Sequence, residues 1–379
     1  MKIVYCINGT FNSGGMERVL ANKANYLSEQ GNEVTIITTD QQENTPFYYF
    51  HPKIQHLDLG INYNANNNQG FLNKAWNYPK KQSLHKRRLT LKLQEIRPQM
   101  CISMYGNEVS FLWNIHDGSS KILEIHFSRF KRLLYNRKGL FRLADKWLTH
   151  RDYRLVKKYK KFIVLTNEDR EDWGDLPHIE VIPNFVTEFD TTSKANLETP
   201  RVLAVGRYDF QKGFDMLIEA WKHVHVNHPS WQLDIIGNGE LKEDYQALIS
   251  KYGLSESVTL KPATSSIAHE YVNSSILAMS SRYEGLPMVL LEAMSMGVPP
   301  VSFACKCGPK DIIQSGYNGI LVTPNDISAL ASSLMTLIAD VDKRKQLGHE
   351  AIKTATNFSK NVVMKKWLEL FESVSSSMK

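Results

Sequence analysis

Short apolar runs alternate with longer segments of helical periodicity along most of this chain. The first run predicts a buried strand over Lys2–Asn8, and the apolar spacing after it predicts a helix over Glu17–Gln30. A second strand follows in the run EVTIITTD, whereas residues 41–80 are rich in Asn and Gln and receive no predicted structure. Apolar strands that alternate with helices are typical of a parallel sheet in an α/β fold. Later strands of this half are predicted at Met100–Met104, Lys121–Ile125 and Phe162–Leu165.

The same pattern starts again in the second half, with a strand at Pro200–Gly206 and a helix at Phe214–His228. A chain of 379 residues exceeds the usual size of one hydrophobic core, so two domains are expected. The polar segment Glu188–Thr199 predicts the linker. We therefore predict domains over 1–190 and 191–360 and a separate final helix within 361–379. Further elements are predicted at Trp231–Ile236, Leu241–Lys251, Val258–Lys261, Ile276–Met279, Val298–Phe303, Ile327–Asn357 and Asn361–Ser373.

The stretch SRYEGLPMVLLEAMSMGVP holds two carboxylates eight residues apart, Glu284 and Glu292. Pro287 suits the first position of a helix, and Gly297 suits its end. Glu284 then lies in the loop before the helix and Glu292 about one turn inside it. A helix N-terminus can bind phosphate through its backbone N–H groups, and carboxylates beside it can accept hydrogen bonds from hydroxyls. The pattern suits a nucleotide sugar, and equally a buried helix with two solvated glutamates.

A basic loop follows the first strand of the second half, in the sequence VGRYDFQKGFD. Arg207 offers a forked contact and Lys212 a point charge, and Gly213 opens the helix that follows. This combination suits a diphosphate, whose charge as a leaving group needs a fixed positive field. The alternative is a solvated surface pair.

Two further loops of the first half carry candidate polar groups. Gly14 and Gly15 precede a predicted helix and would allow close approach of a phosphate or sugar, but they do not form a dinucleotide fingerprint. His126 follows a predicted strand and could contact a sugar hydroxyl or the acceptor. A plain turn and a structural histidine are the alternatives. Asn184, in VIPNFV, is interpreted as a turn asparagine.

Charge is distributed unevenly: the first 170 residues carry a net +13 and the remainder −6. Basic and aromatic residues interleave in segments 80–88 and 127–162, a composition that suits an anionic membrane surface. A solvated helix face is the alternative, and no nucleic-acid motif is present, so no nucleic-acid partner is expected. No apolar run reaches transmembrane length and the N-terminus lacks a signal-peptide pattern, so we expect a cytoplasmic protein. Cys305 and Cys307 form a single C-x-C motif, and the sequence has no second cysteine pair to complete a zinc site, so no metal site is predicted.

Taken together, these motifs make the chain resemble glycosyltransferases of the GT-B fold, in the large retaining family 4, over nearly its whole length. The most specific elements are the two glutamates at Glu284 and Glu292, the GR and KG dipeptides between Gly206 and Gly213, and their order. GGMER, His126, VIPNFV, CGPKDII and NGILV support the match, and GGMERV and CGPKDII look most like the bacterial surface-polysaccharide or lipid-linked-oligosaccharide type. The resemblance implies two Rossmann-like domains that face each other across a cleft, with the last helix crossing back to the first domain.

The resemblance also implies roles for the site residues. Arg207 and Lys212, beside Gly206, would hold the donor diphosphate, Glu292 would accept hydrogen bonds from the ribose, and Glu284 would contact the donor sugar. With His126 near sugar and acceptor, the catalytic set is Glu284, His126, Arg207 and Lys212. The resemblance places further residues near sugar or phosphate: Gly15, Gly285, Leu286, Pro287 and Met288.

Two departures from the family pattern bear on these roles. Phe185 stands where the family usually has glycine after Asn184, and TLKPAT, after the predicted strand that starts at Val258, lacks a common glycine. Phe185 bears on the role of the loop around Asn184, and the missing glycine bears on how the nucleotide base would be recognised.

The expected function is retaining transfer of a sugar from a nucleotide diphosphate, expected to be UDP, to a glycan or polyprenyl-diphosphate-linked acceptor. No metal and no further cofactor are expected, and the basic segments would dock on the inner membrane. The alternatives are a transferase with a soluble acceptor, a non-catalytic sugar-nucleotide-binding protein, or an epimerase of similar architecture.

Overall fold

A computed structural model describes residues 1–66, 71–134, 138–189 and 193–376. Its first half forms a seven-stranded, all-parallel sheet in the order β3-β2-β1-β4-β5-β6-β7. The inner strands are buried apart from the first residues of β1, β2 and β6, because helices cover both faces of the sheet, and this explains their mostly apolar runs. These strands are β1 (Lys2–Cys6), β2 (Glu33–Thr38), β3 (Gln55–Asp58), β4 (Met100–Ser103), β5 (Ser120–Glu124), β6 (Lys161–Val164) and β7 (Ile179–Val181).

The second half forms a six-stranded, all-parallel sheet in the order β10-β9-β8-β11-β12-β13. It has its own large apolar core, in which Trp221, Phe303 and Tyr271 are fully buried. Two Rossmann-like α/β domains, as predicted, are therefore present. The strands are β8 (Arg201–Val205), β9 (Gln232–Ile236), β10 (Val258–Lys261), β11 (Ile276–Met279), β12 (Pro300–Phe303) and β13 (Ile320–Val322).

Helices connect the strands in both domains. Short 3₁₀ turns add local structure at Tyr63–Asn66, Asn107–Ser110, Leu112–Asn114 and Phe210–Lys212. In the described part of the chain, no helix is both long enough and apolar enough to cross a bilayer. The α-helices are α1 (Gly15–Glu29), α2 (Phe71–Ile96), α3 (Lys131–Leu134), α4 (Leu140–Val156), α5 (Asn167–Trp173), α6 (Phe214–Asn227), α7 (Lys242–Lys251), α8 (Ile267–Val272), α9 (Met288–Ser295), α10 (Pro309–Ile312), α11 (Ile327–Ala339), α12 (Val341–Thr356) and α13 (Lys360–Ser376).

The last helix packs on the first domain although it follows the second one in sequence. Its buried face, which includes Met364, Trp367 and Phe371, joins the apolar core formed by Ile3 and Tyr5 of β1. The crossing-back helix is thus confirmed, and it ties the two ends of the chain together.

The structure corrects several sequence-based predictions. Residues 41–80 are not without structure, because they include β3, a 3₁₀ turn and the start of α2. β3 is an exposed edge strand with no apolar run, so periodicity could not reveal it. Pro287 caps α9 from an extended conformation instead of occupying its first turn. His126 lies two residues beyond the end of β5, and Asn184 three beyond β7.

Candidate active site

A cavity of about 580 Å³ lies between the two domains, at the carboxyl ends of their strands. This is where ligands of parallel α/β sheets usually bind. A larger hollow of about 760 Å³ lies beside α5, and it contains none of the predicted site residues. The cavity between the domains is lined by Ser13, Gly14, Gly15, Met16, Glu17, Val19, His126, Phe127, Ser128, Lys131, Leu165, Asn184, Gly206, Arg207, Gln211, Lys212, Tyr283, Glu284, Gly285, Leu286 and Met288.

Lys212 and Glu284 form a largely buried ion pair in the wall of this cavity, with 2.7 Å between Nζ and Oε1. The hydroxyl of Ser281 donates to the same carboxylate oxygen at 2.7 Å, and the amide of Gln211 donates to the other at 3.4 Å. The backbone of Lys212 is also fixed, because Ser280 Oγ donates to its carbonyl at 3.0 Å. The ammonium group is therefore preorganised at the end of β8.

Two glycines permit the close contacts that shape this wall. A Cβ on Gly206 would lie 3.0 Å from the side-chain carbons of Lys212, so the glycine leaves room for the lysine to fold across it. A Cβ on Gly285 would lie 2.6 Å from the carbonyl oxygen of His126, in the opposite domain. The loop before α9 thus packs directly against the first domain, and only glycine allows that approach.

Arg207 lines the same cavity but remains mostly solvated. Its side chain is 73% exposed, and it forms an ion pair with Asp209 at 3.1 Å. Of the two basic groups predicted to hold a diphosphate, Lys212 is fixed and Arg207 is free to move toward an anion.

Glu292 is buried on α9 and does not line the cavity. Oε1 accepts hydrogen bonds from Arg18 of α1 at 2.7 Å and from Thr187 at 3.2 Å, and Oε2 accepts one from Tyr271 at 3.0 Å. Burial and the nearby Glu292 carboxylate raise the pKa of Tyr271 well above its usual value, so it donates as a neutral phenol. Arg18 belongs to the first domain, so the Glu292 carboxylate joins the two domains.

His126 lines the cavity and stands beside a buried ion pair. Its Nε2 atom is 3.1 Å from Oε1 of Glu124, and Lys23 Nζ is 2.5 Å from both oxygens of that carboxylate. Burial tends to raise the pKa of Glu124, but Lys23 and His126 outweigh it and lower the pKa to about 2. Glu124 is therefore ionised at neutral pH, and it presents negative charge to the imidazole.

A second set of contacts joins the domains next to the cavity. The carboxylate of Asp311 accepts from the backbone N–H groups of Asn167 and Glu168, at 2.6 and 3.3 Å, at the N-terminus of α5. Lys306 extends from the second domain to Asp172, at 2.7 Å. The cleft is thus closed on this side by charged hydrogen bonds.

Within the described residues, one group combines the ligand types of a metal site: Asp169, Asp172 and Cys307, whose ligand atoms lie within 4.8 Å of one another. Its members already have protein partners. Asp169 accepts the backbone N–H of Arg129 at 2.9 Å, and Lys306 neutralises Asp172. Burial raises the pKa of Asp169 to about 6. These contacts account for the cluster as part of the domain interface.

Most of the predicted site residues meet at the cavity, and two do not. Pro287 and Glu292 lie outside the lining, whereas the others share it. Sequence reasoning missed Arg18, Lys23 and Glu124. A usable signal existed for Glu124, because it is the charged residue within the apolar run that directly precedes His126. No local pattern could reveal Arg18 or Lys23, since their partners are distant in sequence.

Comparison with known proteins agrees with this geometry. The family model described as "Glycosyltransferase Family 4" matches residues 13–188, and the one described as "Glycosyl transferases group 1" matches residues 186–354. The chain is a GT-B glycosyltransferase of the family 4 type. The amylovoran biosynthesis glycosyltransferase AmsD of Erwinia amylovora is 29% identical over 381 residues, which cover 97% of this chain and 99% of AmsD.

Two other proteins extend the comparison of this glycosyltransferase. A Campylobacter jejuni enzyme named GalNAc-alpha-(1->4)-GalNAc-alpha-(1->3)-diNAcBac-PP-undecaprenol alpha-1,4-N-acetyl-D-galactosaminyltransferase is 29% identical over 191 residues, covering 50% of this chain and 52% of its own. The crystal structure of S. aureus TarM with fondaparinux, alpha-GlcNAc-glycerol and UDP has a TM-score of 0.77 at 17% identity, covering 98% of this chain and 99% of TarM. At that identity the likeness supports the fold alone.

Proposed function

We propose that this glycosyltransferase moves a sugar from a UDP-sugar to a glycan or polyprenyl-diphosphate-linked acceptor, with retention of configuration, in cell-surface polysaccharide biosynthesis. The observation that carries the proposal is the Lys212–Glu284 pair, held in the wall of a cavity between two Rossmann-like domains. AmsD, named for polysaccharide biosynthesis, supports the pathway class because the likeness covers nearly all of both chains.

The basic groups of the cavity suit the leaving group of this reaction. As the bond from the anomeric carbon to the diphosphate breaks, negative charge builds on the phosphate oxygen, and a preorganised cation stabilises it. Lys212 is held in place for this role, and the exposed Arg207 would close on the diphosphate with a forked contact. The acceptor oxygen then bonds to the anomeric carbon, and its proton passes to the leaving phosphate.

Both family carboxylates have several hydrogen-bond donors, which favours binding roles for them. Glu284 is paired with Lys212 and Ser281, and Glu292 with Arg18 and Tyr271. A nucleophile needs a free lone pair aimed at the anomeric carbon. We therefore propose attack on the same face as the departing phosphate, without a glycosyl–enzyme intermediate. Mass-spectrometric detection of a glycosyl adduct on Glu284 with a slow donor would refute this.

The donor nucleotide and the acceptor are proposed by likeness. UDP is bound in the TarM structure, which has the same fold, and the Campylobacter relative is named for an undecaprenyl-diphosphate acceptor. An acceptor of that kind lies at a membrane surface, so the enzyme would have to approach one.

Exposed aromatic side chains on α2 and α4 supply a surface for that approach. Trp76 and Tyr78 are exposed on the first helix and Phe141 and Trp147 on the second, while Lys80 lies 5.3 Å from the ring of Trp76. Partial burial raises the pKa of Tyr78, and Arg151 of α4 lies near enough to oppose that rise. Basic residues near an anionic surface contribute about 1 kcal/mol each, and the indoles suit the interface.

Vesicle sedimentation tests the docking surface. Wild-type protein is expected to sediment with phosphatidylglycerol-containing vesicles at low salt, and Trp147→Glu is expected to stay in solution. Val226→Glu is the matched control, because Val226 is an exposed apolar residue on α6 of the other domain. Equal sedimentation of the two variants, or no sedimentation of wild type, would favour a soluble acceptor and a merely solvated basic face.

Calorimetric titration with UDP, GDP and ADP, with and without magnesium, tests the donor assignment. Selective UDP binding is expected, and Arg207→Ala should weaken it by about 10- to 100-fold, since hydrogen bonds to charged groups contribute roughly 1.5–3 kcal/mol. Lys222→Ala, an exposed lysine on α6, is the control. If none of the three nucleotides binds, the proposal that this protein uses a nucleotide-sugar donor is refuted. Binding without turnover of any UDP-sugar would favour a non-catalytic protein, and turnover without acceptor an epimerase.

A further inference from the structure

A fully buried ion pair sits directly behind the histidine of the cavity. The side chains of Lys23 and Glu124 are 2% and 1% exposed, and His126 is 8% exposed. Burying two charges is costly, and an apolar pair of similar size in the same place is often as stable or more so. Stability alone therefore does not account for this pair, and its contact with His126 suggests another use.

The geometry points to Glu124 as the residue that sets the tautomer and orientation of His126, with Lys23 holding Glu124 in place. This inference rests on the proposed function, since it concerns how His126 meets a hydroxyl of the sugar or acceptor. Glu124 and Lys23 are positioning residues, because they lie behind the histidine and act through it.

The tautomer depends on which ring nitrogen of His126 faces the carboxylate. Nε2 is 3.1 Å from Glu124 Oε1, within ion-pair distance, but it is not aligned for a hydrogen bond with any of the residues described. An ionised carboxylate can only accept, so of the two neutral imidazole tautomers it favours the one that carries the proton on Nε2. Nδ1 is then left with a lone pair, which can accept a hydrogen bond from a substrate hydroxyl in the cavity.

Two further contacts restrain this arrangement. Lys23 contacts both oxygens of Glu124 at 2.5 Å, so the carboxylate cannot rotate away without breaking a buried ion pair. The ammonium group also lies 4.5 Å from the ring centroid of Trp367, a cation–π contact with the helix that crosses back from the second domain. The histidine is thus oriented through β5, α1 and α13, none of which is a mobile loop.

The test removes the pair without leaving an unpaired charge. Lys23→Met with Glu124→Leu replaces it by apolar side chains, and Glu124→Gln is a second variant that leaves an acceptor for Lys23. The control is Lys161→Met with Glu180→Leu, which removes a 2.7 Å ion pair between neighbouring strands of the same sheet. Near-ultraviolet circular dichroism checks that each variant is folded.

Two measurements report separately on the tautomer of His126 and on catalysis. A long-range ¹H–¹⁵N spectrum reports the protonated nitrogen of each imidazole, and His126→Asn identifies the signal. We expect an Nε2–H tautomer in wild type and the control, and a mixture in the Lys23→Met/Glu124→Leu protein. With the UDP-sugar that wild type turns over, kcat should fall about 10- to 100-fold at little change in donor KM, the scale seen for groups that orient metal-bound histidines.

The outcomes are distinct for this inference and for the proposed function. If the tautomer is the same in wild type and the double variant, or if the control loses as much kcat, the inference is wrong. If wild type turns over no UDP-sugar, the proposed function fails, while the spectrum still decides whether Glu124 sets the tautomer. A folded Glu124→Gln protein with wild-type spectrum and kcat would likewise overturn the positioning role of the charge.

Discussion

The ion pair between Arg18 and Glu292 should contribute measurably to the association of the two domains. Arg18 lies on α1 of the first domain and Glu292 on α9 of the second, and Nη2 is 2.7 Å from Oε1. The carboxylate is 4% exposed and the arginine 28%, so one partner is buried and the other partly solvated. Arg18→Met removes the charge and keeps much of the apolar stem.

The expected loss of stability in Arg18→Met depends on which hydrogen bonds the Glu292 carboxylate retains. Without Arg18, Glu292 retains two neutral donors, Thr187 and Tyr271, and loses the cation that neutralises its charge. Breaking a buried ion pair from one side costs about 3–5 kcal/mol, and partial solvation of Arg18 reduces this to roughly 2–3 kcal/mol. For domains of this size that corresponds to a melting temperature lower by about 4–12 °C.

A double-mutant cycle measures the pairwise part of this cost. Arg18→Met is compared with wild type and with Glu292→Gln, in which the neutral amide still accepts hydrogen bonds. We expect Arg18→Met to cost less than about 1 kcal/mol in the Glu292→Gln background. Lys345→Met, which breaks an exposed surface pair with Glu198, should change stability by less than about 0.5 kcal/mol. Equal losses from Arg18→Met in both backgrounds would refute the reasoning.

Three further predictions concern the cavity and its surroundings. Lys212→Ala should lower kcat by about 10²–10³, as for loss of a preorganised transition-state donor, and wild-type kinetics would exclude that role. Gly285→Ala places a Cβ 2.6 Å from the His126 carbonyl and should open the cleft, so small-angle scattering should show a larger radius of gyration; an unchanged radius would contradict this. Because the pKa of Glu124 is lowered to about 2, its contribution to stability is complete above about pH 4.5 and is lost as pH falls through 2. Melting temperatures should therefore fall more steeply between pH 6 and 3 in wild type than in the Lys23→Met/Glu124→Leu protein. If melting temperature depends on pH in the same way in both proteins, ionised Glu124 does not stabilise the fold.

The sequence allowed the architecture to be predicted because the inner strands of a parallel sheet are buried on both faces. Runs such as KIVYC and EVTIIT are apolar for that reason, and their order along the chain already implies two sheets. The edge strand β3 was not predicted because it is short and mostly exposed. The helix α2 was not predicted because Pro79 lies within it and its mean hydropathy is low.

The candidate site could be predicted in part. Glycines and charged residues after strands identify the cavity wall, since local order alone brings strand ends to one edge of a sheet. What the sequence could not reveal is which charges neutralise one another. Lys212 pairs with Glu284 across 72 residues, and Arg18 pairs with Glu292 across 274. Such pairs depend on how two domains are apposed, which no local pattern encodes.

The partners of Glu292 constrain how a nucleotide could use it. A carboxylate offers about four lone-pair positions, and Arg18, Thr187 and Tyr271 already occupy three of them. A ribose with two hydroxyls would need two positions, so one of these three donors would have to release the carboxylate, and Arg18 is the one that the other domain supplies. Since Arg18 comes from the opposite domain, nucleotide binding at Glu292 and the domain contact through Arg18 would compete. Arg18→Met should then bind UDP more tightly than wild type, whereas weaker binding would mean that Arg18 instead holds Glu292 in position for the ribose.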